Sequence, residues 1–127
     1  MRFIFTFWFL LHSIHLFAQP AEKIFSQVNS PYDESSPVIS PDGKFLFITV
    51  ANHPQNAGGI KDPGDIWYAT RLNDGTWSAP KHAGSVINNM LYNGVAGFSA
   101  AGDELYLLSH YAGTERPKTQ GIAVAKI

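Results

Sequence analysis

The feature that most constrains this chain is a stretch that occurs twice. Its first copy reads Ser40-Pro41-Asp42-Gly43, and its second copy, 59 positions later, reads Ser99-Ala100-Ala101-Gly102. Serine and glycine keep their places, and a run of mostly apolar residues follows at the same offset. Repeats of this size are typical of stacked or radial β architectures, in which one unit cannot bury its own faces alone. The sequence therefore predicts repeated β units.

Each copy has the pattern of a β-hairpin turn followed by a strand. Pro41 fixes its own φ and Gly43 is free to adopt positive φ, which is the composition of a tight turn. The run that follows does not alternate apolar with polar residues. Phe45 and Phe47 lie on one face, and aliphatic residues occupy the other. A strand that is apolar on both sides is predicted to be buried between two layers.

A second, weaker repeat in the sequence predicts four strands in each unit. Segment 65–70 matches segment 121–126 at a spacing of 56, and Asp74-Gly75 between them is a strong hairpin signal. The predicted strands of the first unit are Pro37–Ser40, Lys44–Val50, Ile66–Arg71 and Gly75–Pro80. Four antiparallel strands form one blade of a β-propeller. We therefore expect an all-β chain of about two four-stranded antiparallel β-propeller blades, the second incomplete, after an N-terminal signal helix.

These motifs resemble the WD40-like repeat of TolB-type β-propellers in envelope proteins of Bacteroidetes-like bacteria. The likeness rests on the turn at residues 40–44 before an aromatic-aliphatic strand, and on Asp65-Ile66-Trp67-Tyr68 and Asp74-Gly75-Thr76-Trp77. It covers residues 34–127, and it implies a repeat protein of the bacterial envelope. In this family an OmpA-like domain often follows the blades. The resemblance therefore also implies that this chain is a truncated member. The second copy departs from the family at Ala100-Ala101, where Pro-Asp is preferred.

The amino terminus has the order of a secretory signal peptide. Arg2 supplies a positive charge, the segment Phe3–Leu11 is apolar apart from one threonine, and the small residue Ala18 precedes the expected cleavage site. The apolar core is shorter than the ~20 residues that span a bilayer, so the mature chain is not expected to span a membrane. The predicted parts are a signal peptide at 1–18, a leader at 19–33, a first blade with its connecting loop at 34–91, and an incomplete second blade at 92–127.

Charge and cysteine content exclude several classes of function. Without the signal peptide, which contains Arg2, eight basic and ten acidic residues remain. This balance gives no basic field for nucleic acid. The chain has no cysteine, which excludes disulfides, thiolate metal sites and a lipidated cysteine. We expect an exported protein of the periplasm, the outer envelope or the medium, with no cofactor.

One loop carries candidate oxygen ligands for a calcium ion: Asn56, Asp62 and Asp65. The alternative is turn chemistry, in which these side chains accept hydrogen bonds from nearby backbone groups. The acidic spacing matches no known calcium loop, so no metal is predicted. His53 and His82 lie too far apart in sequence for a zinc pattern, as does His110, and loop or surface histidines are the favoured interpretation.

Two function classes stay open. The first is a non-catalytic module that binds other blades or envelope proteins. The second is a carbohydrate-binding or vestigial glycosidase-like propeller, with Trp67 or Trp77 as a sugar platform. The turn before Trp77 is similar to the Asp-box of sialidase-like propellers, but sialidase chemistry requires an arginine cluster. The mature chain contains just two arginines, Arg71 and Arg116, so no enzyme is predicted.

The number of predicted blades leads to an expectation about assembly. Propellers have about four to eight blades, and this chain supplies fewer than two. Both flanks of the pair are expected to present apolar faces, built from Phe45, Phe47, Leu105 and Leu107 or from the residues opposite them. Large exposed apolar surfaces signal association. The purified mature chain is therefore predicted to be oligomeric, aggregated or partly unfolded.

Overall fold

The structure is a computed structural model that describes residues 21–89, 91–108 and 121–127. The predicted signal peptide at residues 1–18 lies outside these residues. The described part contains one short helix, one 3-10 turn and two antiparallel sheets of order β1-β2-β3-β4 and β5-β6-β7. The elements are α1 Ala21–Phe25, β1 Asp33–Ile39, β2 Phe45–Ala51, the 3-10 turn Gly59–Lys61, β3 Asp65–Thr70, β4 Lys81–His82, β5 Gly94–Phe98, β6 Glu104–Leu108 and β7 Ile122–Lys126. The mostly β fold expected from the sequence is confirmed.

The repeated turn adopts the same hydrogen bonds in both copies. The Ser40 hydroxyl oxygen accepts the amide of Phe45 at 2.9 Å, and the Ser99 hydroxyl oxygen accepts the amide of Glu104 at 3.1 Å. The glycine of each turn has positive φ, 72° and 77°. In each case the serine is therefore conserved within the chain because its side chain closes the hairpin.

A carboxylate completes each turn, although it comes from a different position. Ser40 donates its hydroxyl to Asp42 at 2.6 Å, whereas Ser99 donates to Asp103 at 2.7 Å. Asp103 follows its glycine and Asp42 precedes its own, so the second turn retains its acceptor without the Pro-Asp pair. This substitution explains how Ala100-Ala101 can occupy the turn without loss of the hairpin.

The two sheets also share an irregularity. The register shifts between Ser35 and Val38 on β1, and between Val95 and Gly97 on β5, each opposite the following strand. Beyond the shift, Val38 pairs with Phe47 and Gly97 pairs with Tyr106. These are equivalent pairs 59 residues apart, and the repeat in sequence is therefore a repeat in backbone geometry.

One core lies on the outer side of the first sheet. Its buried residues are Val28, Leu46, Ile48, Val50, Trp67, Ala69 and Trp77. Val28 precedes the sheet, and the partly buried Ile24, Phe25 and Tyr32 pack against the same cluster. We call residues 21–32 the N-terminal cover, because they shield this face from solvent. The predicted leader thus contributes to the core.

The second core lies between the two sheets. Buried Ile66 from the first sheet meets Val95, Leu105 and Leu107 from the second, with Phe47 and Phe98 packed alongside. Burial of the β2 strand on its two faces is unequal. The face of Leu46 is buried throughout, whereas the opposite face grades from buried Thr49 to exposed Phe45. The prediction of a strand buried on both sides is therefore confirmed for one face and only partly for the other.

The sheets stack in a head-to-tail order. Leu105 and Leu107, which face the first sheet, stand 59 residues after Leu46 and Ile48, which face the N-terminal cover. The face of the first sheet that packs against the N-terminal cover is therefore equivalent to the face of the second sheet that packs against the first sheet. One flank of the pair is covered, so the expectation of two exposed apolar flanks is wrong for the first sheet.

Two predicted strands differ from those observed. The first begins at Asp33 rather than Pro37, because β1 continues on the far side of the register shift. The fourth is Lys81–His82 rather than Gly75–Pro80, and Trp77 makes one isolated bridge to Arg71. Pro80 has no amide hydrogen to donate to a ladder. The fourth strand therefore becomes regular only after Pro80.

Candidate functional site

The loop between β2 and β3 gathers the three candidate calcium ligands, but most of their polar atoms have protein partners. Asp62 accepts the Gly58 amide at 2.6 Å through one oxygen and the Gly64 amide at 2.9 Å through the other. Asn56 accepts the Trp67 indole N–H at 3.0 Å and donates to a backbone carbonyl of β2 at 2.7 Å. These contacts are those of the turn-chemistry alternative. They hold the loop against the sheet.

Asp65 is the most deeply placed carboxyl group of the loop. Its Oδ2 accepts the Ala57 amide at 2.7 Å and lies 2.7 Å from His82 Nε2, while its Oδ1 is buried without a hydrogen-bond partner. The Gly84 amide donates to His82 Nδ1 at 3.2 Å, so Nε2 carries the proton and donates it to Asp65. The Asp65–His82 contact thus joins the start of β3 to β4.

The structure gives this loop no set of metal ligands. Within residues 21–89, 91–108 and 121–127, no three histidine, cysteine, aspartate or glutamate side chains come together in a way that could hold a metal ion. Of the three candidate ligands, Asp65 alone has an unpartnered oxygen. The arrangement is therefore described best as a hydrogen-bonded loop anchor.

Two asparagines that the sequence analysis did not single out complete this anchor. Asn88 accepts the Ile66 amide at 2.7 Å and donates to the Ile66 carbonyl at 3.0 Å, so its side chain acts as a strand partner. Asn93 is buried, and its Oδ1 accepts the Asn89 amide at 2.8 Å. The concentration of asparagine in segment 88–93 was the available signal, since asparagine bonds readily to backbone groups.

Two histidines of the first sheet and its loop pack against the buried Trp67 ring. His53 contacts the rings of Tyr32 and Trp67 edge-on, with centroids 4.4 and 4.3 Å apart. Burial, with a smaller contribution from nearby His82, lowers the pKa of His53. His82 meets the other side of Trp67 at 5.3 Å. His110 lies outside the described residues. The two described histidines are half-buried, His53 in the loop after β2 and His82 on β4, and both pack against the Trp67 ring.

Neither candidate sugar platform is accessible. Trp67 is 6% exposed and Trp77 is 1% exposed. The guanidinium of Arg71 lies 5.2 Å from the centre of the Trp77 ring, which covers what remains of its face. Arg116 lies outside the described residues. Because sugar stacking requires an open aromatic face, these two tryptophans serve the fold.

A cleft of about 510 Å³ opens between the two sheets beside the repeated turns. Its walls are largely apolar, and they include Phe47 and Phe98, whose ring centres lie 5.7 Å apart. The opposite wall includes Leu105 and Ala125 of the second sheet. The exposed residues Asp42 and Lys126 also line the cleft. We call this space the inter-sheet cleft.

The outer side of the second sheet is uncovered in the described part. Val124, paired with Tyr106, is 56% exposed, and Ile122, paired with Leu108, is 70% exposed. We call the side chains of Tyr106, Ile122 and Val124 the outer apolar face. Among the described residues, β7 pairs only with β6, and we call its other edge the open edge.

Comparisons with protein-family models, with curated proteins and with solved structures find no match. The described residues contain no helix long and apolar enough to cross a membrane. The chain's own residues, and above all its uncovered surfaces, are therefore the basis for the function proposed below.

Proposed function

We propose that this chain is an exported, non-catalytic protein-binding module made of two β-propeller blades, and that it binds a further β-sheet through its outer apolar face. The observation that supports this most strongly is the difference in exposure between equivalent positions. Ile66 in the first sheet is 0% exposed, whereas Ile122, 56 residues later, is 70% exposed. The same position is thus covered by a neighbouring sheet in one unit and open in the other.

The head-to-tail order predicts the chemistry of the partner. The inner side of the second sheet covers the first sheet with Leu105 and Leu107. The corresponding partner surface is an aliphatic sheet face of the same kind. Burying one exposed valine or isoleucine side chain stabilises a complex by roughly 1.5–3 kcal/mol before association costs. The outer apolar face therefore favours association through apolar contacts, with the paired residues Glu104 and Lys126 at its border.

The described ionisable groups support a binding role over catalysis. Asp62 and Asp65 accept backbone amides, and His82 is held between Asp65 and the Gly84 amide. No hydroxyl nucleophile is hydrogen-bonded to His82 among the described residues. The glycan alternative has no accessible tryptophan at position 67 or 77.

A single charge on the outer apolar face tests the proposal. In the absence of its partner, the purified chain is expected to self-associate through this face, and Val124→Lys is expected to shift it to the monomer. The matched control is Val86→Lys, because Val86 is 93% exposed and lies outside the strands. Sedimentation over a broad concentration range measures the change. A wild-type monomer with a cooperative thermal transition would contradict the proposal.

A further inference from the structure

We propose that the open edge of β7 and the adjoining inter-sheet cleft form an acceptor groove for an extended peptide that carries a large aromatic side chain. The peptide would add to β7 as an antiparallel strand and insert its aromatic ring into the cleft. Recognition by strand addition combines main-chain hydrogen bonds with pockets for alternate side chains. Equivalent positions of the repeat within this chain support each part.

The first part is the direction of the β7 backbone groups. The Ile127 amide donates to the Asp103 carbonyl at 3.0 Å, and the equivalent Arg71 amide donates to the Lys44 carbonyl at 2.8 Å. Backbone groups alternate in direction along an antiparallel strand. Since position 127 points toward β6, the amides and carbonyls of 122, 124 and 126 point toward the open edge.

The first sheet shows what satisfies such groups. Position 126 corresponds to Thr70, whose carbonyl accepts the Ser78 amide at 2.9 Å and whose amide donates to the Ser78 hydroxyl at 3.0 Å. Position 122 corresponds to Ile66, whose carbonyl accepts the Ala83 amide at 3.0 Å. The segment 78–83 therefore occupies, in the first sheet, the edge that stands open in the second.

The second part is the match between the cleft and an aromatic side chain. Trp77 shares a buried cluster with Leu46 and Ala69. The positions equivalent to Leu46 and Ala69 are Leu105 and Ala125, and both line the inter-sheet cleft. The cleft volume of about 510 Å³ is in the range of ligand pockets. The cleft thus lies where the equivalent of Trp77 would pack.

These observations determine the occupant. It is an extended segment in which an aromatic residue is followed by a residue whose amide reaches the position-126 carbonyl, as in Thr76-Trp77-Ser78. The acceptor groove uses the edge and inner side of β7, whereas the proposed function uses its outer side. Either proposal can therefore fail without the other.

A peptide copied from the chain is the probe. The peptide has the sequence of residues 73–83, and its matched controls carry Trp77→Ala or an N-methyl group on the Ser78 nitrogen. We expect the intact peptide to slow amide exchange at 124 and 126 in the isotopically labelled chain, while 123 and 125, already paired with β6, do not change. The amide at 122 is not expected to be protected, because the equivalent Ile66 amide is bonded to Asn88, which the peptide does not contain. Both controls are expected to bind about tenfold more weakly, because each loses a buried ring or a main-chain hydrogen bond.

Two further measurements separate this inference from its alternatives. Ala125→Phe, which fills the cleft, is expected to weaken peptide binding without changing the effect of Val124→Lys on association. The amides at 66 and 70 are already bonded to Asn88 and Ser78, so a peptide-dependent change in their exchange would show exchange into the first sheet instead, and would overturn the inference. No protection at β7 with peptide up to about 1 mM, or equal binding of the Trp77→Ala peptide, would also overturn it. The peptide controls do not depend on the folding of a protein variant.

Discussion

At the scale of single residues, this chain relies on polar side chains that replace backbone partners. Ser40 and Ser99 close hairpins, Asn88 acts as a strand partner for Ile66, and Asp62 accepts two loop amides. Such bonds matter because a buried backbone group without a partner is costly. The sequence indicated the serines, since their turns repeat. It did not indicate Asn88, whose partner lies 22 residues away.

The close packing of the Asp62 loop leaves no room for a side chain at Gly58. A Cβ atom at Gly58 would lie 2.8 Å from Asp62 Oδ2, so Gly58→Ala must displace the carboxylate that accepts its own amide. We expect a loss of about 1–3 kcal/mol in the free energy of unfolding, measured by urea denaturation. Gly97→Ala is the control, because its Cβ would meet nothing within 4 Å. An equal effect at both positions would contradict the steric argument.

At the scale of elements, strands with strong local signals were predictable and strands defined by distant contacts were not. The turn at Asp42-Gly43 and the hairpin at Asp74-Gly75 are both observed, and the Gly75 φ is 83°. The fourth strand was misplaced because β propensity near Trp77 outweighed the missing amide of Pro80. The N-terminal cover was treated as a leader, since its role depends on contacts with strands far along the chain.

The N-terminal cover should be worth a measurable share of the stability. Val28 is buried in the same cluster as the core strands, so Val28→Ala removes two buried methyl groups. We expect the free energy of unfolding to fall by about 1–3 kcal/mol. Val86→Ala, at an exposed position, should change it by less than about 0.5 kcal/mol. Equal stabilities of the two variants in a urea titration would mean that the cover does not contribute to folding.

At the scale of the whole molecule, the repeat determines how the parts are ordered, while the amino terminus determines where the protein is expected to act. The resemblance to bacterial envelope repeats and the apolar segment after Arg2 point to the same compartment. The sequence could predict two stacked units from the 59-residue repeat. It could not predict that one flank is covered and the other open, because that difference lies in tertiary packing.

Export can be tested directly in a Gram-negative bacterium that expresses the full chain. We expect the mature product to begin near Gln19 and to appear outside the cytoplasm, as measured by cell fractionation and amino-terminal sequencing. Deletion of residues 2–18 is the control, and it should leave the chain in the cytoplasm. A soluble cytoplasmic product that keeps Met1–Ala18 would rule out the signal peptide.

The head-to-tail order of cover, first sheet and second sheet gives the molecule a polarity. An interface between two unlike faces differs from a two-fold contact, because each unit that is added exposes the same free face as the unit before it. In this chain the N-terminal cover terminates one end, as capping units do in repeat proteins. The sheet stacking proposed above would therefore add at the second sheet, because the described residues leave that end without a cover.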